Sequence, residues 1–414
     1  MRDTLFQGVT QFFPGMINMP GLAQAIPAAP TTSIFKLIAI AAISFLTLVD
    51  LFATQAILPS LAVAYQVSPG TMGSAVNLCT LGMAIAGLAV ALLNQRIGRR
   101  IGVSLSLALL SIPTLLLALM PDLVVFGGLR LLQGVFMSAA FSLTITYIAE
   151  TATAEFIAGA LAAYVTGNVA SNLFGRLMSA ALADHFGLSV NFLIFAMLNL
   201  GGATLAFFLL RNQAPAVRTA VQTVKLSTLF RSRSLNASFA IGFLILFVFI
   251  GVFTYVNFIL TRAPIALSTM QLGLVYFVFV PSIVATPFAG LVSTRLGART
   301  VIILSLLVAL IALPASLVQD LPFILGSLTL LAAGTFFAQA TATGYVSRSA
   351  GATRGAAGGF YLASYYSGGL AGSIVIGQVF DNLGWTAVVI VLGLALIAGC
   401  FLALFIGKTD SADT

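Results

Sequence analysis

One carboxylate stands inside an otherwise apolar run: Asp50, in AAISFLTLVDLFATQAILPS at residues 41–60. A segment of this length and apolarity is read as a membrane-spanning helix. An ionised carboxylate at bilayer depth costs roughly 2.5–3.5 kcal/mol on insertion scales, and protonation removes most of that cost. Two readings follow. Asp50 loads and releases a proton as its exposure alternates, which is what coupling to a proton gradient requires. Or it is a structural carboxylate, neutralised by Arg130 or hydrogen-bonded within the helix bundle. The other acidic residues sit in loops, in tails or near helix ends.

Arg130 also lies inside an apolar run and cannot shed its charge, so it must meet a carboxylate, backbone carbonyls or water. On a helix it shares a face with Gln133, Gly134 and Met137, a face that looks into the bundle; the alternative is an arginine snorkelling to the outer surface. Tyr164, Asn168, Asn172 and Arg176 recur every fourth residue, a polar stripe that lipid would not tolerate. It lines a substrate cavity or forms a hydrogen-bonded seam between helices. Arg176 could offer its charge to an anionic substrate group. In the second half of the chain Tyr361 and Tyr365 stand one helical turn apart, and Gln339 lies in a neighbouring span. Together with Gln133 these aromatic and amide groups suit an amphipathic organic molecule. Tyr255 fits an interfacial belt or the cavity, with Asn257 beside it, and Asn77 is open to either reading.

Other chemistry is expected to be absent. There is no G-x-x-x-x-G-K-[ST] phosphate loop, and no nucleophile–base pair suggests an enzyme. Cys79 and Cys400 lie far apart within apolar segments and read as small buried hydrophobes, and His185 is the single histidine. No cofactor and no metal site are expected.

The elements that position these residues follow from composition. The 414 residues are 60% hydrophobic and 7% charged, against about 25% charged in soluble domains. The mean hydropathy is +1.11, so the chain is expected to cross a lipid bilayer many times. Its apolar runs are continuous and not alternating, which favours helices over a β-barrel. Twelve spans are expected, at 36–58, 70–94, 100–119, 123–148, 156–181, 188–210, 237–260, 269–293, 300–318, 322–345, 356–379 and 385–406. Pro281 and Pro287 predict kinks in the eighth.

Assigning alternate loops to two sides places Arg2, Lys36, Arg96, Arg99, Arg100, Arg211, Arg218, Lys225, Arg231, Arg233, Arg295, Arg299, Arg348, Arg354 and Lys408 on one side and only Arg262 on the other. This asymmetry predicts both termini in the cytoplasm of a multi-pass inner-membrane protein. It also accounts for the net charge of +8 without a nucleic-acid partner.

The halves repeat. Arg96, Gly98 and Arg100 match Arg295, Gly297 and Arg299, each 199 residues apart. Asp122-Leu123 matches Asp320-Leu321 at 198, and Tyr164, Gly175, Asp184 and Gly187 match Tyr361, Gly372, Asp381 and Gly384 at 197. The expected fold is therefore all-α, twelve transmembrane helices in two pseudo-symmetric six-helix bundles with a cavity between them. Its expected parts are a cytoplasmic tail (1–34), a first bundle (35–210), a cytoplasmic linker (211–236), a second bundle (237–407) and a C-terminal tail (408–414).

From about residue 35 to 407 the chain resembles the major facilitator superfamily. ALLNQRIGRRIG at 91–102 resembles its loop signature G-x-L-a-D-R-x-G-R-R, with Ala91 and Gln95 in place of the leading glycine and the acid. GLVSTRLG at 290–297 is the echo in the second half. RLLQGVFMSAA at 130–140 resembles the helix-4 pattern R-x-x-Q-G-x-x-x-A, and LVDLFATQAILPSLA at 48–62 the helix-1 pattern of the drug:proton antiporter branch. YVTGNVASNLFGRLMSA at 164–180 lacks the proline of that branch's helix-5 signature. The resemblance implies a role for Arg130 in tuning the proton site at Asp50. It also implies a cytoplasmic gate at Gln95, Arg96, Gly98, Arg99, Arg100, Gly290, Arg295 and Gly297, with a weaker latch where Gln95 cannot form an ion pair.

The expected function is secondary transport by alternating access: a monomer that exports a small amphipathic organic compound in exchange for protons. The alternatives are a proton symporter or facilitator importing a sugar, a siderophore or another metabolite, and a membrane receptor or scaffold that transports nothing.

Overall fold

In the computed structural model of the chain, residues 31–93, 98–152, 156–210, 230–351 and 354–407 are described, and their regular structure is helical. The first half contains α1 (Thr31–Ala56), α2 (Leu58–Tyr65), α3 (Pro69–Leu93), α4 (Arg99–Leu117), α5 (Leu123–Thr151) and α6 (Ile157–Leu209). The second contains α7 (Arg233–Leu260), α8 (Thr269–Val275), α9 (Val280–Ala285), α10 (Ala289–Leu296), α11 (Ala298–Ala312), α12 (Leu321–Ser349) and α13 (Arg354–Ala403). The first expected span thus begins at Thr31 instead of 36, and the seventh at Arg233 instead of 237. Most of the N-terminal tail, most of the linker and the C-terminal tail lie outside the described residues.

Among the described residues ten helical stretches are long and apolar enough to cross a membrane. Two of them, of 51 and 48 residues, are more than twice the ~20 residues that one crossing needs. Both break at a glycine with positive φ, Gly187 (φ 83°) in α6 and Gly384 (φ 76°) in α13, a conformation that costs a residue with a Cβ. The packing shows that the chain reverses there. Along the first limb of α6, Gly167 sits on Ala41 and Gly175 on Val49, advancing with α1; on the second limb Asn199 meets Asp50 and Gly202 meets Leu46, running back. Each long stretch is therefore two antiparallel crossings, which makes twelve in all.

The sequence repeat reappears as packing. Gly175 on Val49 in the first half corresponds to Gly372 on Phe247 in the second, and the two reversals fall at matched glycines. Symmetry is broken elsewhere. Asp122 caps α5 by accepting from the backbone N–H groups of Val124 and Val125 at 3.0 and 3.1 Å, which satisfies orphan helix-end donors. Its counterpart Asp320 makes no side-chain cap on α12.

The eighth span, expected to kink at Pro281 and Pro287, is interrupted around both prolines. Tight 3₁₀ turns at Tyr276–Phe279 and Thr286–Phe288 divide it into α8, α9 and α10, since a proline inside a helix supplies no backbone N–H. The halves meet where α3 packs on α13 and α6 on α8. Buried polar side chains collect between helices, while Phe174, Phe208, Ile311, Ile390 and Phe401 point outward, as on a surface solvated by lipid. "Basic end" below means the end holding Arg99, Arg295 and Arg348; the "far end" is opposite.

Candidate functional site

Asp50 is 2% exposed and held from three helices. Its Oδ2 accepts from Thr114 Oγ1 on α4 at 2.8 Å, from Gln133 Nε2 on α5 at 3.3 Å and from Asn199 Nδ2 on the second limb of α6 at 2.7 Å. Its Oδ1 is buried without a hydrogen-bond partner. Thr114 has two acceptors within reach of its one hydroxyl proton, Asp50 Oδ2 and the Leu110 carbonyl, each at 2.8 Å. It also accepts from Gln133 Nε2 at 2.7 Å.

Arg130 is fully buried and does not snorkel. Nε donates to the Val76 carbonyl at 2.9 Å, Nη2 to Cys79 Sγ at 3.1 Å, and Nη1 to Gln133 Oε1 at 2.6 Å and the Asp50 main-chain carbonyl at 3.3 Å. The guanidinium is thus satisfied without the Asp50 carboxylate, and no ion pair forms between the two. The close approach of α3 and α5 makes this possible: a Cβ on Gly134 would lie 1.8 Å from the Cys79 carbonyl oxygen. Cys79, expected to be a mere hydrophobe, is an acceptor for Arg130.

A second polar layer lies toward the far end and joins the two halves. Arg176 donates through Nη2 to Gln55 Oε1; Gln55 Nε2 donates to Asn77 Oδ1 at 3.0 Å, and Asn77 Nδ2 to Thr254 Oγ1 at 3.3 Å. Asn257 Nδ2 donates to the Gln55 carbonyl at 3.0 Å, and Tyr276 O–H to Asn257 Oδ1 at 2.7 Å. The Arg176 guanidinium carbon lies 4.1 Å from the Tyr276 ring centre, 5.1 Å from that of Phe279, 5.4 Å from Phe52 and 5.8 Å from Phe253. At the far surface both carboxylate oxygens of Asp381 accept from the Gly70 backbone N–H, at 3.0 and 3.1 Å.

This architecture has known relatives. A family model described as Major Facilitator Superfamily matches residues 40–280 and 264–414. The chain belongs to the major facilitator superfamily. It is 28% identical over 361 residues to the inner membrane transport protein YnfM of Escherichia coli strain K12, covering 86% of each chain. To the uncharacterized MFS-type transporter YybF of Bacillus subtilis strain 168 it is 23% identical, over 91% of this chain and 95% of that one. Among solved structures, a bacterial homologue of the human lysosomal transporter Spinster, in an inward-facing and occupied conformation, superposes with a TM-score of 0.69 at 15% identity, over 90% and 94% of the two chains. The fold is that of this superfamily, and the protein is a membrane-embedded, multi-pass transporter.

Within this superfamily fold the residues singled out from sequence separate into groups. Gln133, placed with the cavity residues, bridges Arg130 and Asp50. Of the polar stripe, Tyr164 joins a seam, donating to the Phe141 carbonyl at 3.1 Å. Asn168 is half-buried, and Asn172 is buried with Oδ1 unpartnered. Tyr361 and Tyr365 stack at 6.2 Å, with the Tyr361 hydroxyl unpartnered; Gln339 is half-buried. Tyr255 is buried and donates to the Ser373 carbonyl, so it is no interfacial belt residue.

At the basic end Arg99 forms a two-pronged ion pair with Glu150, both contacts 2.9 Å, inside the first half. Arg100 lies 4.1 Å from the Phe207 ring centre. Arg295 is exposed, Gly98 and Gly297 cap helix starts, and Gly290 borders open space. Gln95 and Arg96 lie outside the described residues. Sequence reasoning missed Thr114, Asn199, Gln55, Thr254, Tyr276 and Glu150. Asn199, an amide within FAMLNLGG, carries the same signal as Asp50: a polar group in an apolar run.

Proposed function

We propose that this transporter exports a small amphipathic organic compound in exchange for protons, with Asp50 as the proton-binding group. The observation that carries the reading is the setting of Asp50: a buried carboxylate with no ion pair, one oxygen held by three neutral donors and the other free. A carboxylate locked to an arginine would hold one charge state. Here Arg130 keeps its own acceptors whether Asp50 is charged or neutral. When Oδ2 is ionised it accepts from Thr114, Gln133 and Asn199. When a proton arrives, the Thr114 hydroxyl turns its hydrogen to the Leu110 carbonyl, and Asp50 becomes the donor to Thr114 Oγ1. Each hydrogen bond to Oδ2 thus keeps one donor and one acceptor in either state.

Alternating access is supported by the distribution of contacts between halves. The Gln55–Asn77–Thr254 chain, the Asn257–Gln55 bond and the Asp381–Gly70 contact close the far end, whereas the Arg99–Glu150 pair at the basic end stays within one half. With the basic end in the cytoplasm of an inner-membrane protein, as the charge asymmetry favours, this arrangement is closed to the outside. Rocking the halves would break the far-end layer and expose Asp50 to external protons.

The test is proton flux in everted membrane vesicles against a panel of organic compounds, with Asp50→Asn as control. The expected result is substrate-dependent proton release from the vesicle lumen, abolished in Asp50→Asn. Normal proton-driven transport by Asp50→Asn overturns the assignment, and flux in the opposite sense makes the protein a symporter.

A further inference from the structure

The geometry points to Arg176 as the anchor for the carboxylate of an organic-acid substrate, whose apolar body packs among Phe52, Phe253, Tyr276 and Phe279. This rests on the carrier reading above and specifies its substrate class. Arg176 is fully buried, and among the described residues the only ion pair is that of Arg99 and Glu150. Its single hydrogen-bond partner is Gln55; Nε and Nη1 have none. Those nitrogens carry one and two N–H groups, and arginine stays charged throughout. A buried charge with no counter-charge is unfavourable, and the surrounding rings compensate only through their faces: Tyr276 is close at 4.1 Å, while the other three rings stand at 5.1 to 5.8 Å.

The site therefore has one positive charge, several unused donors and apolar walls. A monoanion with a planar acceptor group and an apolar body complements all three. A dianion would bring one uncompensated charge among the rings, and an organic cation would be repelled. Asn172, one turn before Arg176 on the same face, has a buried Oδ1 without a donor, which suits a hydroxyl or amino group on the substrate. The position also fits transport. Gln55 belongs to the first half, Asn257 and Tyr276 to the second, and the three are hydrogen-bonded in series beside Arg176. A ligand here touches both halves, so its arrival and departure bias their rocking.

The purified full chain is titrated calorimetrically with phenylacetate, 4-hydroxyphenylacetate and indole-3-acetate, each paired with its neutral amide. At least one acid is expected to bind ten-fold or more tightly than its amide. Arg176→Gln should abolish that preference and Arg176→Lys should keep part of it, both variants running monodisperse on gel filtration. Acids and amides binding alike, no acid binding at all, or Arg176→Gln retaining the preference would overturn the proposal. Proton flux in proteoliposomes separates the two claims. Arg176-dependent binding of acids without proton movement sinks the coupling reading and leaves the anchor. Proton flux driven by amides or cations but not by acids does the reverse.

Discussion

Arg130 and Asp50 meet through the Asp50 backbone and not through their opposite charges. Nη1 of Arg130 donates to the Asp50 main-chain carbonyl at 3.3 Å, and the path to the carboxylate runs through Gln133, 2.6 Å from Nη1 and 3.3 Å from Oδ2. Gln133 therefore tells the carboxylate that a positive charge is near without handing it an ion pair. Gln133→Leu should strand one N–H of Nη1 and remove a donor from Asp50. A hydrogen bond to a charged group contributes about 1.5–3 kcal/mol, so proton-driven transport should fall at least ten-fold at equal protein abundance, measured in everted vesicles.

Thr114 is the neighbour whose hydrogen can point two ways. Thr114→Val keeps the shape and removes the hydroxyl; Thr114→Ser keeps the hydroxyl. Transport is expected to fall about ten-fold in the valine variant, the worth of one such bond, and to recover substantially in the serine variant. Equal behaviour of the two would remove Thr114 from the proton site.

The crossing of α3 and α5 depends on the absence of a side chain at Gly134. Gly134→Ala forces the helices apart, because its Cβ would stand 1.8 Å from the Cys79 oxygen. Overpacking of this kind costs about 1–3 kcal/mol or more. Thermal unfolding in detergent should show a lower midpoint, and loss of transport should accompany it because Arg130 leaves Val76 and Cys79.

The Arg99–Glu150 pair is well shielded, with side-chain exposures of 6% and 19%. Glu150→Gln should destabilise the first half by about 2 kcal/mol, less than the roughly 3–5 kcal/mol that breaking a fully buried pair costs, because Glu150 is partly exposed. Exchanging the two residues, Arg99→Glu with Glu150→Arg, should restore part of it in a double-mutant cycle of unfolding midpoints.

The architecture was legible to a large extent because membrane crossings write themselves as apolar runs, and because the repeat placed Gly187 and Gly384 at matched chain reversals. Asp50 and Arg130 were visible for a related reason: a charge within such a run stands out. Their contacts were not. Thr114 is a common residue in helices, and nothing local says that its hydroxyl faces α1. Tyr276 lies on the 3₁₀ turn after α8 and Asn257 on α7, and only the meeting of the two halves brings them to Gln55 and Arg176. The first limb of α6 showed its polar stripe but not its division: Tyr164 is committed to Phe141, while Asn172 and Arg176 keep unused polar atoms.

Asp381 offers a last measurable contact. Asp381→Ala removes both acceptors from the Gly70 N–H and should loosen the far end. A cysteine placed at Asn257 (N257C) would then be alkylated several-fold faster from outside than in the parent, and an unchanged rate would show that the contact is incidental.

That bond exists on one side of the repeat only. Asp184 is its counterpart in the repeat, but among the described residues no hydrogen bond joins it to α8, whose first turn is closed by Ser268 and Gln271. A duplicated chain thus kept two copies of an aspartate and put one of them to use as a clasp. The twin halves do not share the work of shutting the far mouth equally, and changing Asp184 should leave that mouth's opening rate where changing Asp381 alters it.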